Sequence, residues 1–420
     1  MNIFKYTNTK FLIMETLKIF ADIIEPEAVN QVYSMAKSEA YKNNIIRMMP
    51  DCHAGKGCTV GTTMLITDKI TPNFVGVDIG CTVSAHRIKL PKKVNGKQWF
   101  DTVKEKFDTV IHKNVPSGMN IRKNIDDIPK KTNDLVSQIL GELIATADIR
   151  YSAYSIGTLG GGNHFISVEW CEETNEVYLL IHCGSRHLGV EVCKYWQTKA
   201  IQNRTSKKGE VKELIKKLKA EGLEKEIQSE LKKIKRPAVN NEMSYLDLNI
   251  EPNDFKGYLH DMIICQEFAR LNHETIAYII GKYMGIKFDE HIYTTHNYID
   301  TEQMMLRKGA VSAKYGETLI IPMNMRDGSL ICVGKGNADW NCSAPHGAGR
   351  IMSRSKAKTQ LSMEDFKNSM KGIYTTSVNT DTIDEAPMAY KPMDSIINSI
   401  GDTVEIMKQI KPLYNFKANN

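Results

Sequence analysis

The chain has 420 residues, 42% apolar and 25% charged, a globular composition that excludes a disordered protein and leaves room for one large domain or two to three ordinary ones. No apolar run approaches the roughly 20 residues needed to span a bilayer. The N-terminal MNIFKYTNTKFLIMETLK lacks the apolar core and cleavage site of a secretory signal, so a cytoplasmic protein without a membrane partner is expected. The net charge is only +6, and nine scattered cysteines with no CxxC pair exclude a zinc ribbon or a disulfide framework.

In chain order, a short strand is predicted at Lys18–Ala21 and a helix around Glu27–Ala40. Apolar runs bounded by Gly or Pro predict strands at Cys58–Ile66 and Phe74–Val77. Helical spacing covers Leu135–Ala147 and Met262–Tyr283, and Glu176–His182 reads as a buried strand that ends on a histidine. Between Arg204 and Arg236 there are 12 Lys/Arg against 6 Asp/Glu; set against 55 and 49 in the whole chain, this leaves 43 of each sign elsewhere. Val211, Leu214, Ile215 and Leu218 make one helical stripe, and Leu223, Ile227, Leu231 and Ile234 a second, with Gly209, Gly222 and Pro237 as punctuation. The segment is predicted to be a basic helical hairpin inserted into one α/β (α+β) body. Its charge fits either a polyanion partner or a solvated helix pair.

Five stretches set His, Asp or Cys beside several glycines: Met49–Gly61, Val75–Ala85, Gly157–Phe165, Ile181–Gly189 and Ala344–Arg350. Asp78 and Cys81 stand three apart in a glycine-containing turn, a spacing that can aim both at one point. With imidazoles from His164, His182 and His296, they would suit a borderline divalent ion such as Mn, Zn or Fe(II). Spacing leaves each histidine open to ligation or to a hydrogen-bonded structural role, and His260 and His273, in or beside the long helix, are expected to be structural. GTLGGGN is a candidate anion nest or a simple tight turn. Arg186 and Arg350 could clamp phosphate or form salt bridges, with Ser185 and Asn163 as neutral donors. His346, followed by Gly347 in a small-residue loop, could attack phosphorus through a neutral ring nitrogen.

Taken together, MPDCHAGKG, VDIGC, GGGNHF, IHCGSR, THN, RKGA, PHGAGR and DEAPMAYK resemble, in family order, the signatures of the RtcB family of RNA ligases, from about Leu17 to Lys417. The resemblance implies a single α/β domain with a central metal pocket. It implies that Cys81 bridges two Mn(II) ions, one completed by His182 and His296 and the other by Asp78 and His164. It makes His346 the residue guanylated by GTP, Asn163 the holder of the guanylate phosphate, and Lys417 a guanine contact. The implied reaction joins an RNA 3′-phosphate, or a 2′,3′-cyclic phosphate opened first by hydrolysis, to a 5′-hydroxyl, in tRNA splicing or RNA repair. An archease-type activating partner belongs to the same expectation.

The chain departs from the family at Ser167, where an acid is usual, at Leu306, where a histidine is usual, and at Pro322-Met323-Asn324-Met325. These changes point to a divergent branch and keep two other readings in view. One is a Mn-dependent cyclic phosphodiesterase that does not ligate; the other is a non-catalytic RNA-binding factor that uses the basic hairpin.

Overall fold

A computed structural model of the protein describes residues 16–206, 208–221, 223, 226–233 and 240–418. They form one mixed α/β domain built on a seven-stranded sheet. Its strands run in the order Thr318–Asn324, Gly328–Gly334, Val404–Phe416, Phe165–Trp170, Val177–Cys183, Thr82–Ile88 and Phe288–Thr295. Every neighbouring pair is antiparallel. Side chains alternate across a strand, so Val177, Leu179, Ile181 and Cys183 enter the main core while Tyr178 and Leu180 enter a second cluster on the opposite face. Apolar residues on both faces explain why this strand reads as a continuous hydrophobic run.

The main core is closed by the helix Pro252–Met284, which starts on a proline at its first turn and stops at Gly285, φ +72°. The helix begins ahead of the expected Met262 because Gly257 lets it lie against Trp196, where a Cβ would come within 2.4 Å of the indole ring. A second sheet carries Leu17–Ile19, Ile46–His53, Val60–Leu65, Met305–Lys308 and Asn297–Asp300 in that order. Among the described residues no helix is long and apolar enough to cross a membrane.

Two expected elements differ. Phe74–Val77 is not a strand: Pro72–Val75 makes one helical turn, with the proline in its first turn and Gly76 (φ +91°) donating to the Pro72 carbonyl at 3.0 Å. A four-residue apolar run is ambiguous by period, and the proline resolves it toward a helix start. The helix expected to reach Ala147 spans Lys130–Gly141. Beyond it the backbone turns so that the Ile144 and Ala145 N–H groups donate to Asp261, at 3.0 and 2.8 Å, a fully buried carboxylate that also accepts from Trp196 Nε1 at 2.8 Å. A buried carboxylate must be satisfied, and this tertiary demand overrides the helical stripe.

The basic segment contains the helices Lys208–Ala220 and Ile227–Lys233. Gly209 lies inside the first rather than ahead of it. Leu218 is buried and Leu223 exposed, while Gly222, Ile234, Arg236 and Pro237 lie outside the described residues.

Candidate active site

Four consecutive strands of the large sheet present a His or Cys side chain that could hold a metal ion at one edge. His164 precedes Phe165–Trp170, His182 is the penultimate residue of Val177–Cys183, Cys81 precedes Thr82–Ile88, and His296 follows Phe288–Thr295. In an antiparallel sheet, strand starts and ends alternate along an edge. The register pairs Phe165 with His182 and Thr82 with both Cys183 and Thr295, which brings the four together. The site therefore does not follow the parallel-sheet rule of ligands at carboxyl ends alone.

His182 Nε2 lies 3.3 Å from Cys81 Sγ and 3.3 Å from His296 Nε2. His164 Nε2 lies 3.4 Å from Cys81 Sγ and 3.0 Å from Asp78 Oδ2. Cys81 thus stands between Asp78–His164 on one side and His182–His296 on the other. The ligating atoms of Cys81, His164 and His182 all fall within 4.8 Å of one another. His182 Nδ1 donates to the Asn163 carbonyl at 3.2 Å, which leaves the Nε2 lone pair facing the cluster.

Glycine permits the crowding. A Cβ at Gly160 would lie 1.8 Å from His164 Nδ1, and one at Gly184 would lie 2.1 Å from Asp78 Oδ1. Asn297, the residue after His296, braces the Asp78–Cys81 turn: its side-chain amide donates to the Asp78 carbonyl at 3.1 Å, and its own carbonyl accepts from the Gly80 N–H at 2.8 Å.

Burial, reinforced by neighbouring imidazoles, pushes His182 and His296 well below the usual histidine range and keeps them neutral. Burial would also lower His164, but the Asp78 carboxylate beside it raises it to about 9. Burial and the adjacent Asp78 push the Cys81 thiol up. Two neutral imidazoles, a thiol that needs a positive neighbour to ionise, a carboxylate, and a third imidazole whose proton a cation would displace fit a borderline divalent metal. The Nδ1 atoms of His164 and His296 are buried without a hydrogen-bond partner among the described residues.

A cleft of about 710 Å³ opens beside the cluster and is lined by His182, Asn163, His346, Gly347, Arg350 and Lys417, among others. His346 follows the strand Ser343–Pro345, whose partner Ala310–Ser312 is anchored where the Gly309 N–H meets the His296 carbonyl at 2.7 Å. The His346 and His296 rings are consequently 4.9 Å apart. His346 Nδ1 lies 2.5 Å from Asp51 Oδ2, which also accepts the His346 backbone N–H at 3.1 Å. Asp51 fixes the tautomer and leaves Nε2 as the free nitrogen.

Asp51 was not singled out from the sequence although it lies in MPDCHAGKG. It acts because the ladder between Ile46–His53 and Val60–Leu65 opens between Met48 and His53. Lys391 holds that opening from behind, donating to the Pro50 and Cys52 carbonyls at 2.8 and 2.9 Å.

The remaining expected residues are placed unequally. Lys417 is buried in the cleft wall, 2.7 Å from Glu385 and 3.2 Å from the Asn163 carbonyl. Arg350 faces the cleft but donates to Glu385, to the Tyr390 hydroxyl and to the Asp384 and Met352 carbonyls. Glu385, from DEAPMAYK, organises this wall; burial would raise its carboxyl, but Lys417, Arg354 and Arg350 hold it down at about 2.

Ser185 is not brought to the cleft, since it is fully buried and its hydroxyl donates to the Ile79 carbonyl at 2.6 Å. Arg186 does not line the cleft either; its guanidinium donates to Thr158 Oγ1 and the Gly118 carbonyl. His273 is structural, bonded to Ser84 at 2.7 Å and the Cys183 carbonyl at 2.9 Å, and His260 pairs with Asp261 at 3.2 Å.

The chain matches the sequence profile described as "tRNA-splicing ligase RtcB" over residues 31–418. It is 29% identical to the RNA-splicing ligase RtcB of Escherichia coli K12 over 424 aligned positions, covering 94% of this chain and 95% of that protein. It is 27% identical to the tRNA-splicing ligase RtcB of Aeropyrum pernix, covering 83% and 82%. It is 24% identical to that of Nanoarchaeum equitans, covering 91% and 90%.

Proposed function

Because this chain belongs to the RtcB family, we propose that it is an RNA ligase that seals a 3′-phosphate or 2′,3′-cyclic phosphate end to a 5′-hydroxyl end, using GTP and Mn(II), in tRNA splicing or RNA repair. The observation that carries this reading is His346, held through Nδ1 by Asp51 at 2.5 Å, with its ring against His296 and its other nitrogen free at the cleft.

Two Mn(II) ions would be held by Asp78 with His164 and by His182 with His296, sharing Cys81. Bound there, they would polarise phosphoryl oxygens and lower the pKa of attacking groups. His346 Nε2 attacks the α-phosphorus of GTP; a P–N bond forms and pyrophosphate leaves. Asp51 offsets the positive charge that develops on the ring. An oxygen of the RNA 3′-phosphate then displaces His346 from the GMP phosphorus, and the histidine is regenerated. The RNA 5′-hydroxyl attacks the activated 3′-phosphorus, loses its proton, and GMP leaves. Asn163 lies where it can position the guanylate phosphate, and the Lys417–Glu385 pair closes the cleft wall.

The basic helical insertion over residues 204–236 belongs to this proposal as an RNA-docking surface, whose binding would fall with salt. An archease-type activating partner belongs to the same proposal. Met323 and Asn324 line the cleft, and this altered wall supports the second reading, a cyclic phosphodiesterase without ligation.

The test is incubation with α-labelled GTP and Mn(II), followed by denaturing electrophoresis. Covalent label on the wild type and none on His346→Ala is expected. Absence of label with every nucleotide, together with opening of cyclic phosphate ends, would replace the ligase by the phosphodiesterase.

A further inference from the structure

Where the ladder of Ile46–His53 opens, its carbonyls need other donors, because a buried carbonyl left unpaired is costly. Three in a row are met by side chains. His53 Nδ1 donates to the Asp51 carbonyl at 2.9 Å. The Lys391 ammonium donates to the carbonyls on either side of it, Pro50 at 2.8 Å and Cys52 at 2.9 Å. Asp51 therefore stands at the crown of an arch whose two feet are held by one cation.

The backbone of Lys391 is tied to the loop that carries His346. The Ile351 N–H donates to the Ala389 carbonyl and the Lys391 N–H to the Gly349 carbonyl, both at 2.9 Å, with Arg350 paired antiparallel to Tyr390. Gly349 lies three residues beyond His346 and has φ +73°. It passes so close to the arch that a Cβ there would come within 2.0 Å of the Asp51 carbonyl oxygen. One residue thus joins the segment that bears Asp51 to the loop that bears His346, and the pair meets at 2.5 Å.

The ammonium is buried and its hydrogen bonds go to neutral oxygens. Burying a cation carries a large desolvation cost, and burial lowers the Lys391 pKa, against the opposing pull of Cys52 and Asp51. If the arch needed only donors, a neutral amide would supply them with less desolvation. The positive charge has a use here because it lies behind a fully buried carboxylate whose Oδ1 has no hydrogen-bond partner among the described residues. Resting on the reading that His346 is the nucleophile, we propose that Lys391 is its positioning residue: it clamps the Asp51 arch to the His346 loop and acts on adduct formation through Asp51.

A double-mutant cycle on the full-length protein tests this, read by single-turnover transfer of label from α-labelled GTP. Lys391→Met should slow adduct formation about 10- to 100-fold, the loss expected when a reacting group is misplaced by about 1 Å. The half-saturating GTP concentration and the manganese affinity should stay within a few fold of wild type. In an Asp51→Asn background the same substitution should slow the reaction by no more than about threefold, because the residue it acts through is already disabled. General damage to the fold would instead multiply the two losses. Proton NMR gives a readout without GTP: the low-field Nδ1–H resonance that disappears in His346→Ala should also be lost in Lys391→Met. Should Lys391→Met not fold, Lys391→Gln carries the same comparisons. If the wild type is labelled and the Lys391 variant forms adduct at the wild-type rate, multiplies the Asp51→Asn loss, or keeps the resonance in place, the positioning role is overturned while the ligase reading stands. If no nucleotide labels the wild type, both fall together.

Discussion

The substitution Asp51→Asn isolates the device that presents His346. Asp51 is fully buried, accepts both the Nδ1–H and the backbone N–H of His346, and has no hydrogen-bond partner at its second oxygen among the described residues. Asparagine keeps the size and one acceptor but removes the charge. During attack, positive charge appears on the imidazole, so the bond to Asp51 becomes charge-assisted on both sides. A hydrogen bond to a charged group contributes about 1.5–3 kcal/mol. At 1.36 kcal/mol per tenfold, adduct formation should slow by about 10- to 100-fold. The assay is single-turnover transfer of label from α-labelled GTP to the protein. Manganese affinity, measured by the loss of free Mn(II) signal, should stay near the wild-type value, because neither Asp51 nor His346 belongs to the Cys81 cluster. Adduct formation at the wild-type rate would refute the argument that Asp51 activates His346. A parallel loss of manganese binding would show that Asp51 supports the whole site and not the nucleophile alone.

Cys81→Ala removes the one atom shared by both halves of the cluster and should abolish manganese binding and guanylylation together; full guanylylation in that variant would refute the shared-ligand assignment. Burial pushes Glu169 up from 4.5 to about 7. A carboxyl raised on folding stabilises the protein below pH 4.5, and that contribution is lost as the pH rises through about 7. The shift corresponds to roughly 3 kcal/mol, so Glu169→Gln should be more stable relative to wild type at pH 8 than at pH 5 by up to that amount. Denaturant melts at the two pH values measure the difference, and an unchanged difference would contradict the burial argument. Removing Lys207–Lys235 should weaken RNA binding and flatten its salt dependence while sparing guanylylation; if guanylylation is also lost, the segment supports the fold. Gly160→Ala should displace His164, because the new methyl would lie 1.8 Å from Nδ1, and a measured manganese affinity equal to wild type would argue against the packing described.

The sequence by itself determined the parts that are local. Glycines beside Asp78, Cys81, His164 and His182 marked backbone that must approach side chains closely, and the steric reason is now visible at Gly160 and Gly184. The donor types carry the expectation of a borderline divalent ion, since ligand softness is a property of the residue and not of its place. The strand at Glu176–His182 and the long helix were legible because periodicity reflects burial directly.

Only the tertiary structure decided which distant groups meet. Asp51 and His346 are 295 residues apart and pair because an opened ladder aims one at the other. Arg350 and Lys417, expected as ligand contacts or, for Arg350, as a salt bridge, both line the cleft and both pair with Glu385, whose buried carboxylate requires cations around it. Ser185 and Arg186 carry the residue types of a phosphate site, yet their hydrogen bonds are committed to Ile79, Thr158 and Gly118. Spacing along a chain cannot reveal such commitments, because they depend on strand register, and register is set by the packing of the whole sheet.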